Sequence, residues 1–153
     1  MKPVLIVGIG NILLRDEGVG VHVVRKLMDM ELPEGVEAID GGTSGADLID
    51  SIADRAKLIV VDAMKADEKP GTVYRFTDKD LMEQAERSIS LHEFGLAETL
   101  SMAKHLGCSP KEVIIYGVQP AVIRPPGLEL SPEIAAVVPK LIKAVLEEAA
   151  KTL

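Results

Sequence analysis

Short apolar runs punctuate this chain at residues 4–7, 36–39, 58–61, 73–76 and 112–117, each bounded by glycine, proline or charge. Runs this short and this rich in valine and isoleucine suit strands, and VLIV and LIVV are apolar enough to be buried on both faces. VYRF at 73–76 is less apolar and belongs nearer a sheet edge. Between the runs the period lengthens to three and four. Val21, Val24, Leu27 and Met28 predict a first helix, and Leu48, Ile49 and Ile52 a second, with Arg55 near its end, where a cation suits the dipole. Thr77 or Asp78 caps a short helix through Leu81, Met82 and Ala85, and a longer one runs to about His105, closed by Gly107. Ser131-Pro132-Glu133 combines a cap, an N1 proline and an early acid. The helix it starts keeps an apolar face through Ile134, Val138, Leu141, Ile142 and Val145, with a kink expected at Pro139.

Strands alternating with helices predict one α/β domain over residues 1–153, an open and mostly parallel sheet with helices on both faces. Ligands in such folds bind beyond the carboxyl ends of the strands. Glu17, Asp40, Asp62 and Gln119 each follow a predicted strand, so residues far apart in sequence should share one edge. Asp16, beside Glu17, is a natural N-cap for the first helix. The loop from Glu86 then delivers His92 near the start of the next helix, where the dipole disfavours imidazolium and keeps the ring neutral as a ligand.

Composition narrows the chemistry. A net charge of −7 and no basic stripe argue against nucleic acid. Cys108 is the only cysteine, which excludes an internal disulfide and a thiolate cage, and it reads as structural. The first apolar run is too short for a signal peptide, and no stretch approaches the about 18 apolar residues of a spanning helix, so no membrane insertion and a cytoplasmic location are expected. Gly8-x-Gly10 resembles the opening of a dinucleotide fingerprint, but Leu13 occupies the third glycine's place and two acids would repel a pyrophosphate. The sequence around Ser44 lacks the spacing of a nucleophile elbow. Two carboxylates and one imidazole, Glu17, Asp62 and His92, amount to an incomplete shell for a divalent metal such as zinc, nickel or iron, with positions open for water or substrate.

Five motifs in order carry a resemblance. GIGNILLRDEGVG at 8–20, DGGT at 40–43, Val61-Asp62-Ala63, SLHEFGL at 90–96 and GVQP at 117–120 together resemble the hydrogenase maturation endopeptidases. The resemblance implies a five-stranded sheet with one antiparallel strand in a three-layer α/β/α arrangement. It also implies an endopeptidase that trims a C-terminal extension from the precursor of a nickel–iron hydrogenase large subunit after nickel insertion. Glu17, Asp62 and His92 then correspond to the metal-contacting, catalytic trio. No intrinsic cofactor is implied, because nickel arrives with the client. Asp16, Asp40, Gly42, Thr43 and Gln119 are candidates for substrate recognition or for support of the trio, and the exposed stretches 66–71 and 121–130 for partner choice. A non-catalytic nickel-checking chaperone of the same client is the alternative.

Overall fold

The computed structural model describes residues 1–43, 48–84, 90–91 and 96–153, with the backbone alone for 82–84, 90 and 91. Five strands form the main sheet in the order β2 (Val36–Gly42), β1 (Val4–Ile9), β3 (Lys57–Lys65), β6 (Glu112–Val118) and β4 (Val73–Thr77). The first four are parallel, and β4 closes one edge antiparallel to β6. This is the mixed sheet that the resemblance implies. A two-residue strand, β5 (Ser90–Leu91), pairs antiparallel with the tip of β3, Met64 opposite Leu91.

Alternation along the central strands builds two cores. Val4, Ile6, Ile59, Val61, Ile114 and Tyr116 face α1 (Val19–Met28), α5 (Pro132–Ala135) and α6 (Val138–Ala150). Leu5, Val7, Leu58, Val60, Val113 and Ile115 face α2 (Ile49–Ile52), α3 (Asp78–Gln84) and α4 (Leu96–His105). Burial on both faces is why VLIV and LIVV carry no polar alternation. The α1 side is in backbone contact with the sheet. A Cβ added at Gly20 would lie 2.0 Å from the Val61 carbonyl oxygen, and one at Gly8 would lie 2.1 Å from that of Gly20. Gly8, which opens the apparent nucleotide fingerprint, therefore serves helix-on-strand packing.

Several boundaries differ from the sequence reading. β2 runs on to Gly42, and β3 continues past Asp62 to Lys65, because pairing with β6 through Ala63 and with β5 extends it. The helix expected to kink at Pro139 instead divides into α5 and α6. Proline has no N–H to give the carbonyl four residues back, and its ring crowds that carbonyl. Arg55 lies beyond α2 but serves its end as expected, donating Nε–H to the Ser51 carbonyl at 2.8 Å.

At the start of α3, Thr77 and Asp80 form a reciprocal cap. Asp80 Oδ2 accepts from the Thr77 N–H at 3.0 Å, and Thr77 Oγ1 accepts from the Asp80 N–H at 3.4 Å. Asp80→Ala should cost about 1 kcal/mol in urea denaturation. An unchanged midpoint would show that the cap contributes nothing.

Candidate active site

The chain turns back on itself at β1. Its successor β2 lies on one side and β3 on the other, with α1 and the segment holding α2 crossing opposite faces. The crevice beyond the carboxyl ends of β1 and β3 is thus the topological switch point, where open α/β sheets take ligands.

Glu17 reaches this crevice on a single 3-10 turn, Arg15–Gly18, that leads into α1 and lies against β3. Gly10, at φ 141°, lets the turn approach, since a Cβ there would stand 2.2 Å from the Glu17 carbonyl oxygen. Asp62 comes from β3 itself. It follows Val61, whose carbonyl α1 packs against, and it is 1% exposed. Its Oδ1 accepts from the Ala63 N–H at 2.8 Å. The sequence places Asp62 just beyond a strand, whereas the structure places it inside one, opposite Gly117 of β6. Strand alternation aims it to the face that carries Leu58, Val60 and Met64, where α4 packs.

His92 lies outside the described residues, as does the loop from Glu86 up to β5. The chain on either side is placed: Leu91 pairs with Met64, two residues beyond Asp62, and α4 begins at Leu96. Among the described residues, no group of three His, Cys, Asp or Glu side chains is arranged to hold a metal ion. His22, the described histidine on α1, keeps a buried Nε2 with no hydrogen-bond partner. Burial, and after it the charge of Arg25, lowers its pKa, so this ring is neutral at pH 7.

The remaining candidates separate. Asp40, Gly42 and Thr43 meet the glycine loop at a cleft of about 310 Å³, lined also by Gly10, Asn11 and Arg25. Asp40 is already engaged there: Oδ2 accepts from Arg25 Nε at 3.1 Å and Oδ1 from the Gly42 N–H at 2.9 Å. Gln119 holds the 66–72 connection, with Oε1 accepting from the Ala66 N–H at 2.7 Å and its main chain bonded to Gly71 and Thr72. Asp16 does not cap α1, whose first turn has no side-chain cap. It is fully buried, and its carboxylate accepts from the N–H groups of Ala121, Val122 and Ser131 and from the Ser131 hydroxyl, at 2.7 to 3.0 Å. The sequence marks 121–130 only as a stretch for partner choice and carries no signal for its bonds, or those of Ser131, to Asp16, because these partners lie more than 100 positions away.

Residues 21–148 match the family model described as hydrogenase maturation protease. The chain belongs to the hydrogenase maturation protease family. It is 37% identical to the hydrogenase 2 maturation protease of Escherichia coli, over 94% of this chain and 88% of the relative. It is also 38% identical to a putative hydrogenase maturation protease of Methanocaldococcus jannaschii, over 98% of each. Among solved structures, the E. coli maturating endopeptidase HybD superposes with a TM-score of 0.89 at 35% identity, covering 99% of this chain and 93% of that one. HybD of Thermococcus kodakarensis superposes at 0.79 with 27% identity, over 97% and 99%. As a hydrogenase maturation protease this chain is a hydrolase, an endopeptidase, and its crevice at the β1–β3 switch point is the candidate active site. Among the described residues no helix is long and apolar enough to cross a membrane.

Proposed function

We propose that this endopeptidase removes a C-terminal extension from the large-subunit precursor of a nickel–iron hydrogenase after nickel insertion, in the cytoplasm. Glu17, Asp62 and His92 would complete the coordination of the nickel that the client carries, so that binding energy is released only by a loaded substrate. A required ligand of this kind is a specificity device, since an empty precursor lacks the cation that these three side chains would bind.

One observation carries the reading. The 3-10 turn that bears Glu17 lies against β3, the strand that bears Asp62, at the switch-point crevice, although the two acids are 45 positions apart in the sequence. Cleavage of an amide requires an activated water and a group to receive the developing charge. Either a carboxylate or the client's nickel would activate that water, and the nickel would supply Lewis-acid polarisation. Asp40 and Thr43, at the adjoining cleft, fit a role in seating the client's chain.

The test is mass spectrometry of purified precursor, loaded with nickel or left empty, after incubation with this protein. A shortened large subunit and a released C-terminal peptide, from the loaded precursor alone, is the expected result. A precursor that is held but left whole would overturn cleavage, and equal cutting of the empty form would overturn the nickel requirement.

A further inference from the structure

Asp16 stands next to Glu17 in sequence and takes no part in the chemistry proposed above. A buried carboxylate is costly unless its lone pairs are met. Here they are met by four donors, all from residues 121–131: Oδ2 accepts from Ala121 N–H (3.0 Å), Val122 N–H (2.7 Å) and Ser131 Oγ (2.7 Å), and Oδ1 from Ser131 N–H (2.7 Å). The main chain repeats the link. Asp16 N–H donates to Val122 O at 3.0 Å, Arg15 N–H to Gly127 O at 3.0 Å, and Gly127 N–H to Leu13 O at 2.8 Å. Just after Glu17, Gly18 packs on Ile12 and Gly20 on the Val61 carbonyl. Glu17 is therefore suspended between two fixed points.

Ser131 shows what this network displaces. It has the extended geometry of an N-cap before α5, yet its hydroxyl makes no cap and goes to Asp16 instead. A local helix stabilisation is forgone for a bond to the residue beside Glu17.

We propose that Asp16 is a positioning residue that acts through Glu17: by stitching the Arg15–Gly18 turn to residues 121–131, it sets the direction in which the Glu17 carboxylate meets the client's metal. This rests on the reading of Glu17 given above. Asp16→Asn keeps the shape but turns an amide N–H2 toward N–H donors whichever way it lies, so the stitch loosens.

The experiment measures kcat and KM on nickel-loaded precursor for wild type, Asp16→Asn, Glu17→Gln and the double variant, well below each melting temperature. Expected is a fall in kcat of about 10- to 100-fold for Asp16→Asn, KM within about threefold, and no further fall of more than about threefold when Glu17 is already glutamine. Ser131→Ala, which removes one bond of the four, should lower kcat by about 3- to 10-fold and supplies the same comparison should Asp16→Asn fail to fold. Wild-type kcat per folded molecule in these variants, or a loss that multiplies with that of Glu17→Gln, overturns the inference and leaves the functional reading standing. Glu17→Gln at the wild-type rate overturns both.

Discussion

Asp62→Asn is expected to lower the rate of precursor processing by about a thousandfold or more while leaving the melting temperature nearly unchanged. Asparagine has the volume of aspartate and keeps an oxygen for the Ala63 N–H, so the strand and its packing survive. What it removes is the charge. A neutral amide at a 1% exposed position on β3 neither neutralises a divalent cation nor accepts a proton from water. His92→Ala should show the same separation of activity from stability. The comparison to make is single-turnover cleavage of nickel-loaded precursor beside thermal unfolding of each variant. Processing at the wild-type rate would remove Asp62 from the mechanism.

The largest expected loss of stability lies at the other end of the sheet. Lys57, the first residue of β3, is almost wholly buried; its Nζ donates to Glu148 Oε2 at 2.6 Å and to the Glu148 carbonyl at 3.0 Å, and it forms an ion pair with Glu112 Oε1 at 3.2 Å. Arg75 reaches the other oxygen of Glu148 through Nε at 2.9 Å, and Tyr116 lies 3.5 Å from it. Burial raises the pKa of Glu148, but the hydrogen bonds and charges of Lys57 and Arg75 outweigh it and hold the carboxyl at about 2.

Glu148→Gln leaves the buried ammonium facing a neutral amide and should cost about 3 to 5 kcal/mol at pH 7. Because the folded-state pKa lies below the ordinary value of 4.5, the contribution of Glu148 is complete above that pH and is lost as pH falls toward 2. Urea unfolding at a series of pH values should therefore show the gap between wild type and variant closing from pH 5 downward. Replacing Lys57 by methionine and Glu148 by leucine together should recover much of the loss, since the buried charges leave as a pair. Glu148→Gln should process precursor normally per folded molecule, because Lys57 and Glu112 open β3 and β6 and the cluster lies on the α6 face of the sheet, opposite the face to which Asp62 points. A gap that stays constant down to pH 2 would mean that the carboxylate is not what holds Lys57.

The two clusters differ in how far they could be read along the chain. Asp62 was legible because an acid that interrupts LIVV is conspicuous, and the strand-end rule sent it to the same edge as Glu17. The position of its strand's end was not legible. Apolarity stops at the acid, whereas β3 continues because β6 and β5 supply ladder partners. For the Lys57–Glu148 pair there was no signal at all. Glu148 looks like an exposed helix acid in a charged final turn, and its partner is 91 residues away.

Hydrophobic period, turn residues and five short motifs were enough to dictate an α/β sheet with one weak antiparallel edge strand, the order of its elements, and membership of a protease family. Those properties are local: each depends on residues within a few positions of one another and on which face they present. The use of each polar group was settled only when the chain closed. Asp16 resembles a cap and serves as a buried clamp on residues 121–131; Gln119 follows a strand like a site residue and holds a connection. A carboxylate or amide takes whichever donors packing brings to it, and those donors come from segments whose distance along the sequence carries no information about their distance in space.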